Sequence, residues 1–305
     1  LAADAGVVET GLPIRQARLR VSGFFWQRPW LRVVGLLALP IAAFLVVYVG
    51  SLGVLFISSL WTANSLTSAV EHTWTLANYR TIFSTYDPYV HVAVFTLAMA
   101  AAVTLTCAVL AFPFAFFMAR VAGKRTRALL FVMVLLPLWS SYLVRLYAWQ
   151  TILAHNGAIN WALNEVGLPD QNLAYTHTAM WIVYTYVWLP FMVLPVYAAL
   201  ERIPDSYLEA SADLGGRGWR TFRSVILPLA LPGVVAGSIF TFALTLGDYI
   251  TPELIGGTNS NMIGTIVYEN FSTNLPFAAA FAVIPLAIMG AYLLVARKLG
   301  AFEAL

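Results

Sequence analysis

Cysteine and charge are both scarce in this 305-residue chain. Its single cysteine, Cys107, falls inside an apolar run, which excludes an intrachain disulfide and any cysteine-rich redox or metal site. The histidines His72, His91, His155 and His177 are scattered without ligand spacing, and neither H-E-x-x-H nor G-x-S-x-G occurs. No G-x-x-x-x-G-K-[ST] phosphate loop is present either. The nearest fragment is Gly123-Lys124, with Met118 standing where the first glycine would be. The chain is therefore expected to hold no metal and no nucleotide of its own, and not to be an enzyme. Internal repeats and low-complexity segments are also missing.

What is abundant is apolar surface. Hydrophobic residues make up 60% and charged residues 10%, with a mean hydropathy of +0.78, far from the balance of a water-soluble domain. A helix needs about 20 mainly apolar residues to cross roughly 30 Å of hydrocarbon. Six runs qualify: Val33 to Trp61, Val90 to Ala119, Ala128 to Trp149, Ala179 to Leu200, Ile226 to Leu246 and Phe277 to Ala296. The second, LAMAAAVTLTCAVLAFPFAFFMA, has no polar face of the kind a soluble helical core shows. The expected fold is all-α: a polytopic membrane protein with six transmembrane helices over residues 33–305, preceded by an arm at 1–32. Pro40, Pro113, Pro137, Pro190, Pro195, Pro232 and Pro285 fall in or near these runs and read as ordinary kinks.

The cations are sorted by loop. Arg15, Arg18, Arg20, Arg28 and Arg32 precede the first run; Arg120, Lys124, Arg125 and Arg127 follow the second. Arg202, Arg217, Arg220 and Arg223 follow the fourth, and Arg297 and Lys298 end the sixth. Of the 17 cations only Arg80 and Arg145 lie elsewhere. The positive-inside rule then puts both termini and the fourth loop in the cytoplasm. With so polar an arm before the first run, a cleavable signal is not expected. The net charge of +3 follows from this sorting and implies no nucleic-acid partner.

The fourth loop, about 201–228, holds EASADLGGRGWRTFRSVILP. Ser206 and Glu209 form S-x-x-E, which predicts a capping box and a helix start. Gly215-Gly216 predicts its stop, because a left-handed residue is cheap there. Two to three turns are too short to stand alone. Tyr207, Ala210 and Leu214 share one face by spacing, so this helix needs a surface to dock against, whereas Glu209 and Asp213 are a like-charged i, i+4 pair. Trp219, Phe222, Arg223 and Ile226 continue at helical spacing towards the fifth span; interfacial anchoring and protein docking are equally open for them.

This stretch resembles the EAA loop of bacterial ABC-importer permeases: E-A-A, three residues, G, nine residues, I-x-L-P. Here Glu209-Ala210-Ser211, Gly215, Val225 and Leu227-Pro228 occupy those positions, with Ser211 and Val225 as conservative departures. The resemblance implies a type I ABC importer permease fold. It also implies that Ser206, Glu209, Ala210, Ser211, Asp213, Gly215 and Arg217 couple the chain to a dimer of ABC ATPase subunits, which would bind ATP and Mg. PLWSSYLVRLYAW at 137–149, LPFMVLPVYAALERIP at 189–204 and GDYITPELIGG at 247–257 further resemble B-type permeases of spermidine/putrescine uptake systems. That implies a second, C-type permease chain, an extracytoplasmic substrate-binding protein, a polyamine substrate and a place in the bacterial inner membrane. Related permeases carry other small solutes.

Outward loops carry Glu71, Asp87, Glu165, Asp170, Asp248, Glu253 and Glu269 against Arg80, a face that attracts cations, although positive-inside sorting produces much the same imbalance. Asp248, Tyr249 and Glu253 follow the fifth span, and Trp139, Tyr142, Tyr184, Tyr186 and Trp188 supply aromatic walls. Together they form the candidate substrate pathway, with cation–π contacts worth about 0.5 to 2 kcal/mol each. Arg145, inside the third span, is expected to pair with an outer carboxylate. A secondary transporter would need ionisable groups midway through its spans, and Arg145 is nearly alone there.

Overall fold

The computed structural model describes residues 29–64, 67–84 and 88–298. Most of the expected arm, and Asp87, lie outside them. The chain divides into two compact units, one ending at Ile57 and the other beginning at Ser58.

The first unit contributes most of helix α1, Val33–Ser58. Its 26 residues, at about 1.5 Å each, are long enough to cross a bilayer. Pro40 lies within it, and a wide π-helical turn follows at Leu45–Val49. Its residues from Val33 to Leu52 are exposed and mostly apolar, Leu36, Leu39 and Val46 among them, as a helix in lipid requires.

The second unit is a helical bundle: α2 (Ala77–Ile82), α3 (Tyr89–Val121), α4 (Lys124–Leu135), α5 (Tyr142–Leu153), α6 (Ala158–Glu165), α7 (His177–Glu201), α8 (Asp205–Asp213), α9 (Trp219–Gly247), α10 (Ile263–Asn270) and α11 (Leu275–Lys298). One short antiparallel ladder pairs Thr62 with Glu71 and Ala63 with Val70. The bundle is organised around α7, which packs against both α3 and α9 and is the most buried of the spans. Met180, Tyr184, Met192 and Leu200 line up on it in the main core with Val103 and Cys107 of α3. Helix α11 covers α9 and α10 through Phe277, Phe281 and Tyr292.

Lipid offers no hydrophobic drive for helices to associate, so close approach depends on small residues. Gly233 and Gly237 of α9 supply it. A Cβ on Gly233 would meet the Ala199 side chain and stand 2.6 Å from the Pro195 carbonyl oxygen; one on Gly237 would stand 2.7 Å from Met192 Sδ and 3.0 Å from its Cα.

Five of the six expected spans are continuous helices. The third is not the straight Ala128 to Trp149 segment the apolar run suggested. Helix α4 passes into a 3₁₀ turn at Leu136–Trp139, and the chain restarts at Tyr142 at 96° to its former direction. Pro137 has no N–H to continue an α ladder. Ser140 donates its Oγ to the Pro137 carbonyl at 2.7 Å and adopts extended backbone, as Ser141 does with ψ 140.

Candidate functional site

Two groups of residues, at opposite ends of α7 and α9, carry the site candidates.

At the coupling-loop end, α8 runs from Asp205 to Asp213 with no buried residue. Its start corrects the capping-box expectation. Pro204 occupies the N-cap with extended backbone, no side chain caps the helix, and Ser206 already lies within it. Proline's fixed φ suits the entry to a helix, and the Asp205 carboxylate is taken by Arg120 at 2.8 Å. The stop falls where the glycines place it. Gly215 has φ +75, its N–H donates to the Ala212 carbonyl at 2.9 Å, and that of Gly216 donates to the Ser211 carbonyl at 2.7 Å. This is the paired bonding of a Schellman ending. Gly216 is held tightly: a Cβ there would stand 2.6 Å from the Ser211 carbonyl oxygen and would also meet Ser211 Oγ.

Helix α9 starts at Trp219, ahead of the expected apolar boundary, and passes through a π turn at Phe222–Ile226. Phe222 stacks on Trp219 and meets Phe112 of α3 edge-on at 5.5 Å. A Ser211–Thr221 hydroxyl pair at 2.9 Å ties α8 to α9. Between them lies an open hollow of about 570 Å³, bordered by Tyr207, Ala210, Leu214, Arg220, Val225 and Pro228. Tyr207 is exposed, and Leu214 is 87% exposed. Glu209, Asp213 and Arg217 are exposed as well, so the cassette presents both an apolar face and its charges outward.

At the other end, the break after Ser140 brings Tyr142 to the end of α9. Its hydroxyl donates to Asp248 Oδ2 at 2.6 Å. That proton being committed, Thr251 Oγ1, 2.5 Å away, donates to the tyrosine oxygen. Asp248 also caps the next helical turn: Oδ1 accepts from Ile250 N–H at 3.1 Å and Oδ2 from Thr251 N–H at 3.2 Å. A carboxylate offers about four acceptor positions, and these three donors fill most of them. The Tyr142 ring is stacked on Trp188, centroids 5.7 Å apart. Tyr184, one turn before Trp188, is fully buried with its hydroxyl on Met262 Sδ.

Thus Asp248, Tyr142 and Trp188 come together, with Tyr184 in the wall behind. The others disperse. Trp139 is 91% exposed on the far side of the break. Tyr186 pairs with Trp149. Tyr249 stacks on Tyr268 at 4.4 Å and borders a separate apolar hollow of about 310 Å³. Glu253 is exposed. Arg145 forms no ion pair among the described residues. Its guanidinium instead lies 5.8 Å over the Tyr142 ring, with Nε and Nη1 buried and without a hydrogen-bond partner among the described residues. Tyr142 and Arg145 are i, i+3 neighbours within α5, which puts the guanidinium on the same face as the ring. Sequence reasoning missed Thr251 and Arg120. A hydroxyl three residues past an aspartate is a weak signal, and Arg120 looked like one more topology cation.

Residues 111–300 match the family model of the binding-protein-dependent transport system inner membrane component. The chain is 44% identical to the inner membrane ABC transporter permease protein YdcU of Escherichia coli K12, covering 96% of this chain and 97% of that one. With the spermidine/putrescine transport system permease protein PotB of the same strain it shares 33% identity, over 84% and 93% of the two chains. In fold it resembles a chain of the bacterial alginate ABC transporter, with a TM-score of 0.72 at 17% identity over 90% of this chain and 95% of that one.

Proposed function

The chain belongs to the family of binding-protein-dependent transport system inner membrane components, as a multi-pass ABC-importer permease subunit, and from that premise we propose that it forms half of an inward path for polyamines of the spermidine/putrescine class. ATPase and substrate-binding protein partners accompany permeases of this family. In our reading the ATPase is a dimer that binds ATP and Mg, the other half of the path is a second, C-type permease chain, and both termini and α8 face the cytoplasm. ATP-driven closure of the ATPase dimer pushes α8. The spans then rotate, so that the cavity between the two permease chains opens first outward and then inward.

The observation that carries the substrate reading is the Asp248 carboxylate, bonded to the Tyr142 hydroxyl whose ring is stacked on Trp188. A primary ammonium supplies a donor, a positive charge for the carboxylate, and a cation for the ring faces. PotB, named for spermidine and putrescine, supports the same class. Proteoliposomes holding the full complex and its binding protein test this directly. Uptake of labelled spermidine or putrescine that requires ATP supports the reading. Uptake persisting without ATP, or ATP-dependent uptake of neutral solutes alone, refutes it.

Asp248→Asn retains the shape and one acceptor oxygen but removes the charge. Uptake at low substrate is expected to fall by about tenfold, the scale of one charge-assisted hydrogen bond, with unchanged amounts of assembled complex. Unaltered uptake kinetics would remove Asp248 from the path.

A further inference from the structure

A single guanidinium joins three elements at the coupling-loop end. Arg120 leaves α3 from its π-helical last turn, Phe117–Val121. Its Nη1 donates to Asp205 Oδ1 at 2.8 Å, and its Nη2 donates to the Leu200 carbonyl at 2.7 Å and to the Ile203 carbonyl. Leu200 is in the last turn of α7, Ile203 is buried in the connection, and Asp205 opens α8. The last carbonyls of a helix lack their usual i+4 partners; here the neighbouring span's arginine meets that of Leu200 and, just past the helix, that of Ile203.

The burial of the pair decides which of these bonds matters. Asp205's side chain is 83% exposed and that of Arg120 only 15%. An exposed carboxylate adds little, while the carbonyl bonds, made on the sheltered side, anchor the arginine. Across the following turn, Arg127 of α4 donates to Glu201 Oε1 at 3.4 Å and to the Ala119 carbonyl at 3.1 Å. The connection from α7 to α8 is thereby held by the hairpin of α3 and α4 as well as by its own backbone.

We propose that Arg120 is a positioning residue for transport, making the end of α3 move together with α8. A push on α8 then reaches α3 through the Ile203 carbonyl in the connection that α8 pulls on, with the exposed Asp205 carboxylate as a minor second link, and not only through α7. This rests on the reading of α8 as the element that the ATPase moves. Because α3 packs against both α7 and α9, moving its end with α8 keeps the three central spans in step. The planar fork of arginine is essential to this, since it reaches a carboxylate and two carbonyls at once. A lysine ammonium is a point charge on a flexible stem.

The test compares uptake with ATP hydrolysis in proteoliposomes of the full complex, using spermidine and its binding protein. For Arg120→Ala, hydrolysis is expected to stay within about twofold of the parent while uptake falls about tenfold, raising the ATP spent per molecule carried. Arg120→Lys is expected to restore little. Unchanged uptake, or a parallel fall of both activities in assembled complex, would overturn the proposal. A second arm covers an Arg120→Ala complex that does not assemble. In a Cys107→Ala background that keeps Arg120, V121C in the same turn of α3 and D205C are joined by a short bismaleimide. Uptake that survives the bridge agrees with ends that move as one body, and uptake abolished by it shows that they must separate and refutes the proposal. If no ATPase accompanies the parent complex, the failure lies with the coupling reading and not with Arg120.

Discussion

Gly237→Leu is expected to prevent the permease from folding stably, and Gly233→Leu to do nearly the same. Both glycines are buried on α9 against α7, where even a Cβ at Gly237 would stand 2.7 Å from Met192 Sδ. Met192 could swing its thioether aside, but its Cα, at 3.0 Å from that same position, is backbone and can yield only by moving α7. Overpacking typically costs about 1 to 3 kcal/mol, and a leucine that prises two helices apart belongs at or above the top of that range. It also opens the core that Met180, Tyr184 and Met192 fill. The expected readout is loss of the monodisperse peak in detergent and a thermal midpoint lowered by many degrees. Gly290→Leu is the control, because nothing lies within 4 Å of a Cβ at that exposed position. Equal stability of the Gly237 and Gly290 variants would show that α7 and α9 do not meet as described.

Leu214→Asp is expected to abolish ATP-driven uptake while leaving the permease folded. Leu214 is 87% exposed beside the hollow between α8 and α9, so the fold does not depend on it. Docking into a partner would bury it, and burying a leucine is worth roughly 1.5 to 3 kcal/mol; a carboxylate there loses that gain and adds a charge to be desolvated. A combined loss near 3 kcal/mol corresponds to an affinity lowered by roughly a hundredfold or more. The ATPase should no longer copurify with the variant, and uptake should drop to the level seen without ATP. Gly215→Ala probes the same surface more gently, since a non-glycine residue at φ +75 costs about 1 to 2 kcal/mol. Leu214→Asp complexes that keep both their ATPase and their uptake would show that the exposed face of α8 is not where the ATPase acts.

The sequence by itself determined the membrane class, the six apolar segments and the short helix closed by a double glycine, because each is written in local terms. An apolar run of sufficient length has to leave water, and a double glycine past a short polar helix ends it wherever the chain goes next. Gly215 and Gly216 close α8 as their chemistry requires. The family resemblance was legible for the same reason: the spacing of Glu209, Gly215 and Pro228 is a linear pattern. Even local signals failed where two competed. Ser206 offered a cap, but Pro204 and the Arg120–Asp205 pair set the helix start earlier. Pro137 could have been a mild kink, and the Ser140 hydroxyl on its carbonyl made it a break.

Only the tertiary structure decided which residues meet. Tyr142 and Asp248 lie far apart in the chain, and no periodicity in either segment says that the 96° turn after Trp139 will bring them within 2.6 Å. Trp139, before that turn, stays exposed, and Arg145 lies over the ring of its own helix neighbour Tyr142 in place of a carboxylate. Arg120 looked like a topology charge until α7 ended beside it. Hydropathy and helix propensity are sums over neighbours along the chain, whereas a hydrogen bond or a glycine contact depends on the distance between backbones that only packing sets.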